Sequence, residues 1–568
     1  MSAFTSKATG NHSASGQTTW NETGVPGNGD TETIGAHTIT VDTDTTVGHS
    51  PAAGDGTAAI LLNNSSAIVA IASGQTLICR GDLKKAAASS KVTMAAGSKF
   101  KFDATAAGTP STARYVAGPT DVFYAGALFD ITGTSGSRCE VSSVSGAAYG
   151  RIASNIQGGL IEAEYCDFIR LGDSSNAAFS IFPWTTGDRF ELADCTIDEC
   201  GKMINEIAWQ ADAHFILDRV KFTDTTSSNC LEFSASAALT SGTRRIDACA
   251  FDKPITMFGP RGVTFTNNYL NDGFTITNTG SWAAFEGNFV RQVANESSAV
   301  FDVSDCFILK DNSTGNPHFL GCTYQNDITI DGVVFEFSHS TGGGDCITMG
   351  EPGGTGPYLR TITHCITLPN SAGGDSGTLF SALGNAETSI VCNHNTSCAG
   401  TQGAAVGETY SGHTGMLASF RSNIFWSATA EGWKLADSGT DETVSDLVTA
   451  ANCDYNCGYN LGDDYVNLEF SSGTPGANDV DVDPQFIDDT GDLASWDGSL
   501  GGAGTIAAAL ARIAADPTLT ASSLLPYIRN CFSPTNALLQ NAGHDSVTIG
   551  AVEYTAAGSP HNYYVQLQ

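Results

Sequence analysis

Cations are scarce in this sequence: 26 Lys and Arg stand against 60 Asp and Glu, a formal net charge of −34. Phosphate binding takes clustered Lys and Arg, so neither nucleic acid nor an anionic membrane surface is an expected partner. Long apolar runs are missing too. The opening Met1 to Lys7 leads into no apolar stretch of signal-peptide length, and no window approaches the ~18 uninterrupted apolar residues of a membrane span. The expectation is a protein made in a cytoplasm without a cleaved signal. Charged residues of both signs make up only 15% of the chain and hydrophobic ones 41%, the reverse of a disordered composition, and 568 residues suffice for a large core.

Helical periodicity is absent over most of the chain: apolar runs are short, alternating, and cut by Gly, Asn, Asp and Ser. Strands are expected early at His37–Asp42, Ala58–Leu62, Ala67–Ile71, Gly74–Ile78 and Gly97–Phe102. Beyond them a short pattern recurs. It reads Tyr165-Cys166-Asp167-Phe168, Asp194-Cys195-Thr196-Ile197, Arg219-Val220-Lys221-Phe222, Ala248-Cys249-Ala250-Phe251 and Asn267-Asn268-Tyr269-Leu270. It continues through Gly287-Asn288, Asp305-Cys306, Gly332-Val333, His364-Cys365, Asn393-His394 and Ser422-Asn423. Taking the second residue as the mark, the intervals run from 18 to 32 residues. A parallel β-helix tolerates such unequal intervals, because loops of any length leave between stacked strands.

The marks then form one inward column, with Cys at five positions and Asn at three. Small thiols pack there as apolar groups, and Asn amides hydrogen-bond to the equivalent group one repeat away. The sixteen cysteines, spread from Cys79 to Cys531 and mostly single within strand-like runs, are accordingly read as buried free thiols rather than a disulfide framework. Near the end, Ile506, Leu510 and Ile513 share a helical face stopped by Pro517, an expected plug over the open end of the stack.

Chemistry is sparse. Gly374-Asp375-Ser376-Gly377 and His364 imitate protease segments in order but not in distance, with only twelve residues between His364 and Ser376. Cys453 and Cys457 lack a second pair at zinc spacing. Asp479, Asp481 and Asp483 alternate, so an extended backbone would put three carboxylates on one face for Ca²⁺, against the ordinary reading of a solvated acidic turn. Arg80-Gly81-Asp82 is a three-residue coincidence, and Asn295-Glu296-Ser297 has meaning as a glycosylation triplet only with an export route. For glycan cleavage, carboxylates among Glu162, Glu164, Asp194 and Asp198 are the candidates, with Trp184 and Trp209 as sugar platforms or packing aromatics. No catalytic, cofactor-binding or metal residue is assigned, and no cofactor is expected.

The opening Phe4 to Asn11, then Gln17 to Asp30 and Thr38 to Asp42, resembles the N-terminus of β-helical proteins of tailed bacteriophages. Asp483-Pro484-Gln485-Phe486-Ile487-Asp488, Asn541-Ala542-Gly543-His544-Asp545 and Ile549-Gly550-Ala551-Val552-Glu553 look like the closing segment of bacterial and phage right-handed β-helix proteins. The resemblance implies an all-β, right-handed parallel β-helix with an N-terminal attachment segment over 1–57, short early repeats over 58–160, the main helix over 161–460 and a C-terminal cap over 461–568. It also implies a place on a virion as a fibre, spike or decoration protein, made in the host cytoplasm, a homotrimer whose partners are other virion proteins. The alternative is a tailspike that binds or depolymerises host surface polysaccharide, as a glycoside hydrolase or polysaccharide lyase. A secreted adhesin would need an export signal.

Overall fold

In Thr38–Val41 side chains alternate between half-buried Thr and buried Ile39 and Val41, the period of a strand with one face inward. Such four-residue strands cannot stand alone; each is held by a parallel partner one repeat later. The computed structural model of the chain describes residues 2–15, 17–48, 58–85, 90–103, 113–117, 127–144, 150–154, 160–172, 177–181, 189–203, 214–234, 242–258, 262–270, 273–277, 283–291, 293–295, 302–310, 320–322, 327–337, 345–349, 358–368, 378–384, 388–398, 402–408, 417–426, 431–437, 452–460, 476–486, 525, 529 and 531–552. It divides into two compact units, Met1–Ala284 and Phe285–Gln568.

In the first unit, Thr38–Val41, Ile68–Ile71, Lys91–Met94, Ala127–Thr132, Leu160–Glu164, Arg189–Ala193, His214–Asp218, Arg244–Asp247 and Val263–Thr266 pair successively in parallel. A second series runs beside it through Thr45–Gly48, Thr76–Arg80, Lys99–Phe102, Cys139–Ser143, Cys166–Ile169, Thr196–Asp198 and Lys221–Thr223. A third holds Ala3–Thr5, Thr31–Ile34, Ala58–Leu62, Asp82–Lys85, Ala113–Ala117, Gly150–Ser154 and Phe179–Ile181. This all-β order, with strands of each series taken in rotation along the chain, is consistent with a parallel β-solenoid. The early strands expected from the sequence are all present.

The second unit repeats the plan. One series contains Ile328–Asp331, Tyr358–Thr363, Thr388–Asn393, Leu417–Arg421 and Cys453–Asp454. Another contains Phe307–Lys310, Val334–Phe337, Ile366–Thr367, Thr396–Cys398, Ile424–Trp426, Cys457–Tyr459 and Val480–Asp481. A third contains Leu320–Cys322, Asp345–Met349, Thr378–Gly384, Gln402–Glu408 and Glu431–Asp437.

Inside the first unit, aromatic rings form the core: Phe100 packs on Phe102 and Phe129, and Phe179 lies edge-on between Phe168 and Phe190, which stacks on Phe215 at 5.5 Å. At the chain start, residues 19–21 run back along residues 5–8, with Lys7 N–H donating to Thr19 O and Asn21 N–H to Thr5 O. Trp20 is thereby fully buried against Phe4 and His12, over a buried His12 Nε2 to Glu32 Oε1 contact of 2.6 Å. The Trp20 fold-back occupies the backbone edge of Ala3–Thr5 that faces away from Thr31–Ile34.

The expected helix around Ile506, Leu510 and Ile513, Trp184, Trp209, Ser376, and the side chain of Asn295 lie outside the described residues.

Candidate functional site

The sharp corner between the first and second strand series carries the polar organisation of the molecule. One residue there is left-handed, with φ of 49° to 62° at Tyr165, Asp194, Arg219, Ala248 and Asn267 in the first unit and at Asp305, His364, His394, Ser422 and Tyr455 in the second. Such backbone costs a non-glycine residue about 1–2 kcal/mol, and the residue that follows offsets it. In the repeats of Cys195, Cys249, Cys306 and Cys365 the thiol donates to the carbonyl two residues back, at 3.2, 3.3, 3.2 and 3.3 Å. Sulfur also accepts from the corner of the preceding repeat, as in Val220 N–H to Cys249 Sγ at 3.4 Å.

Asparagine does the same work more strongly. Asn395 Nδ2 donates to Asn393 O at 3.0 Å while its Oδ1 accepts Cys365 N–H at 2.9 Å. Cysteine and asparagine therefore share this column because each is a short side chain with a donor and an acceptor. The fifteen cysteines whose side chains are described are buried and free. Burial pushes the thiols of Cys195, Cys306 and Cys365 up to about 12, which keeps them protonated and unreactive.

The sequence frame needs one correction here. The mark taken at His394 is out by one: Thr396 pairs with Ile366 and Ile424, so Asn395 stands in the column and His394 is the left-handed residue before it. The pattern Asn-His-Asn offered two asparagines, and only backbone handedness separates them. With Asn395 restored, asparagines run unbroken through Asn423 and Asn456. Asn395 Nδ2 donates to Asn423 Oδ1 at 3.0 Å and Asn423 Nδ2 to Asn456 Oδ1 at 3.0 Å.

Asp479 terminates this ladder. Its Oδ1 accepts Asn456 N–H at 2.6 Å and its Oδ2 accepts Gly476 N–H at 2.9 Å. Burial pushes its carboxyl up to about 7, with Asp454 adding to the effect and the Asn456 and Gly476 amides opposing it. Asp479 is thus a ladder residue. Asp481 is exposed and Asp483 Oδ1 accepts Gln485 N–H, and no group of three metal-ligating side chains is found among the described residues.

Over the corner of the second unit lies the C-terminal strap, residues 531–552. Leu539 and Ile549 pack on Ile424 and Cys457 in one buried cluster, with Trp426, Val480, Val482, Phe486 and Ala542 around it. Ser422 is its anchor: the hydroxyl accepts His544 N–H at 2.9 Å and the carbonyl accepts Gly550 N–H at 2.7 Å. Gly550 has φ of 108°, and a Cβ there would strike Ile424, so both handedness and space demand glycine. Asn536 and Thr535 bond to the carbonyls of Asp483 and Gln485, and Ala551 N–H donates to Thr396 Oγ1 at 3.0 Å. Arg529 bridges Asp305 Oδ1 and Gly332 O at 2.6 and 2.5 Å.

Two imidazoles, His364 and His394, stand on the corner, and a third, His544, belongs to the strap. His364 and His394 stack at 5.6 Å, and His364 Nδ1 lies 2.8 Å from Asp331 Oδ1. Burial works against ionisation of Asp331, yet hydrogen bonds from His364 and Thr363 hold its carboxyl below the usual range. Burial, and then the nearby His364, push His394 down. His544 Nε2 lies 2.8 Å from Arg421 Nη1, its Nδ1 lies 2.8 Å from Asp545 Oδ2, and its ring meets Tyr455 edge-on.

The sequence candidates for sugar chemistry separate. Glu162 pairs with Arg189, Asp194 takes a two-point contact from Arg219, and Asp198 accepts from Thr223, on three different elements. Sequence reasoning missed a better-aligned set: Asp130, Glu162 and Glu191 are register neighbours, one per repeat, beside Lys91 and Arg189. Arg80 of the Arg-Gly-Asp triplet is tied to Asp103 and Asn28. Cys453 and Cys457 are buried ladder neighbours of Phe420 and Ile424.

No family model matches the chain, and no curated protein or solved structure matches it. The corner ladder, with its strap, is therefore the most organised polar feature the geometry itself supplies. What it does chemically is satisfy buried backbone at the turns that carry cysteine or asparagine, which fixes the register of the repeats.

Proposed function

We propose that the chain is a structural, non-enzymatic component of a tailed-bacteriophage virion, a fibre, spike or decoration protein built as a right-handed parallel β-helix. The N-terminal segment attaches it to other virion proteins, the C-terminal region caps it, and three copies associate. The observation that supports this reading is the hydrogen-bonded corner column running from Asn395 to Asp479 under the strap. Every amide of that ladder is paired to the repeats on either side, so a repeat opens only with its neighbours, which suits a protein that must persist outside a cell. The −34 charge keeps many copies apart before assembly. The phage assignment itself rests on the resemblance of the opening and closing segments. Mass spectrometry of density-purified particles from the lysate in which the chain is made tests it. The chain is expected in the particle fraction in fixed ratio to other particle proteins; recovery in the soluble fraction alone overturns the reading.

A second reading, depolymerisation of a host surface polysaccharide, draws on the Asp130, Glu162 and Glu191 column, because stacked strands set neighbours ~4.8 Å apart and retaining hydrolases hold their carboxyls ~5–5.5 Å apart. Incubation with capsular and O-antigen polysaccharides, read by reducing ends and unsaturated-sugar absorbance, decides it. Cleavage abolished by Glu162→Gln establishes this reading over the structural one; intact polymers with folded protein remove it.

A further inference from the structure

We propose that the C-terminal strap is a proton-operated latch, closed while His544 is neutral and opened when His544 takes up a proton. A guanidinium only donates, so the 2.8 Å contact between Arg421 Nη1 and His544 Nε2 requires Nε2 to be an acceptor. The ring proton then sits on Nδ1 and points at Asp545 Oδ2, 2.8 Å away. The docked geometry thus specifies one neutral tautomer. Adding a proton at Nε2 removes the only acceptor in that contact and sets two cations against each other where a hydrogen bond had been.

The groups facing His544 do not relieve this. Among the described residues they are Arg421 from the strand Leu417–Arg421, Tyr455 from the corner after Cys453–Asp454, Asp545 of its own turn, and His394 at longer range. Asp545 is already satisfied by Nδ1 and is largely exposed, at 81% of its side-chain surface, so water screens what it offers a second proton. His394 lies stacked on His364, whose Nδ1 is held by Asp331, with Arg529 nearby. A proton on His544 therefore adds positive charge beside the Arg421 guanidinium and near His394.

The consequence is local. Among the described residues, His544 N–H, Gly550 N–H and Ala551 N–H bond the strap to the corner, the His394 imidazole bonds the Thr548 backbone, and Leu539 and Ile549 cover Ile424 and Cys457. An opened strap uncovers that apolar cluster without disturbing the strand pairing under it. The outcome is a surface hidden at neutral pH and shown in acid.

Hydrogen exchange on the full chain tests the proposal. The Gly550 and Ala551 amides are followed at pH 8 and pH 5 and corrected for intrinsic rates, with the Thr396 amide, bonded to Cys365 O, as an internal control. Protection at Gly550 and Ala551 is expected to fall by several-fold, with a ceiling of about 30-fold for one imidazole, in acid while Thr396 is unchanged. His544→Gln, which accepts from Arg421 without titrating, is expected to hold the strap at both values, and His544→Lys at neither. Equal protection at pH 5 and pH 8 in the unaltered protein, or the same acid loss in His544→Gln, overturns the latch. If His544→Gln fails to dock even at pH 8, ring-nitrogen chemical shifts of labelled histidine carry the test. Release in step with protonation of His544 supports the proposal, and a strap that stays docked on a doubly protonated His544 overturns it.

Discussion

Replacing Asp479 with asparagine should change stability with a sign that depends on pH. The carboxyl ends a column of amides, and its folded value near 7 lies above the ordinary 3.8. Between those values the folded protein holds a proton that the unfolded chain has lost. The contribution is therefore complete below pH 3.8 and is lost as pH rises toward and through 7. Three units at ~1.4 kcal/mol each set a ceiling of about 4 kcal/mol, and partial exposure of Asp479 brings the expected figure to about 2 kcal/mol. Asparagine removes this dependence at a cost. Its Oδ1 takes the Asn456 bonds, which leaves its NH₂ facing Gly476 N–H where Oδ2 had accepted at 2.9 Å, a loss of about 1 kcal/mol. Asp479→Asn should thus be more stable than the original by about 1 kcal/mol at pH 8.5 and less stable by about 1 kcal/mol at pH 5. Native-state hydrogen exchange at the Val480 and Asn456 amides, both bonded in this repeat, reads the difference, and Asp481→Asn at an exposed neighbour controls for net charge. A difference between the two proteins that stays flat from pH 5 to pH 8.5 would refute the reasoning.

Other consequences are more local. Asn423→Ala leaves the buried Asn395 N–H and Cys392 carbonyl without their partners and should cost about 3–5 kcal/mol in chemical unfolding, far more than an exposed Asn→Ala change. Trp20→Ala opens a cavity under the first strand and should cost about 3–5 kcal/mol, seen as exchange at residues 3–5 with the rest of the first unit protected. The fifteen thiols shown to be buried should stay silent to a thiol reagent in native protein and react together on unfolding; stoichiometric labelling of Cys195 or Cys365 without unfolding would contradict their burial.

The repeat was legible because its corner residues are chemically odd for strands. Cys166, Cys195, Cys249, Cys306 and Cys365 mark the turn wherever they occur, and the structure seats all five in it. What the sequence concealed was handedness and distance. Nothing in Asn393-His394-Asn395 says which residue turns left-handed, so the frame slipped there. The strap was recognisable as a closing segment, but its contacts span great sequence separation: His544 reaches Arg421, and Arg529 reaches Asp305. The residue after the corner is half-buried Asp167, Thr196 and Lys221 in early repeats and buried from Ala250 onward, well before the repeats of Thr396, Ile424 and Cys457 that the strap touches, so burial at this position did not single out the covered surface. Carboxylate candidates, too, were unrankable, because register alone decides that Glu162 adjoins Glu191 rather than Asp194.

The pairing of cysteine with asparagine along the corner makes a claim that substitution can decide. If the column selects only for small, weakly polar volume, then any compact residue should serve. If it selects for a side chain that both accepts from the preceding corner and donates to the carbonyl two residues back, the two residues should exchange and others should not. Cys365 is the informative position, since its thiol donates to Thr363 O, accepts from the Val333 amide, and adjoins Asn395. An asparagine there can make both bonds and donate onward to Asn395 Oδ1, which extends the ladder one repeat, as Asn395 already does to Asn423. Cys365→Asn should lie within about 1 kcal/mol of the original. Cys365→Leu, which leaves the Val333 amide without its acceptor, should lose about 2–4 kcal/mol, and Cys365→Ala about 2 kcal/mol. The valines at 220 and 333 show that an isolated break is tolerated in the column, so the measured losses should be graded rather than all-or-none. Equal destabilisation by Cys365→Asn and Cys365→Leu in urea unfolding would mean that the column sorts residues by volume, and the hydrogen-bond account of the corner would have to be given up.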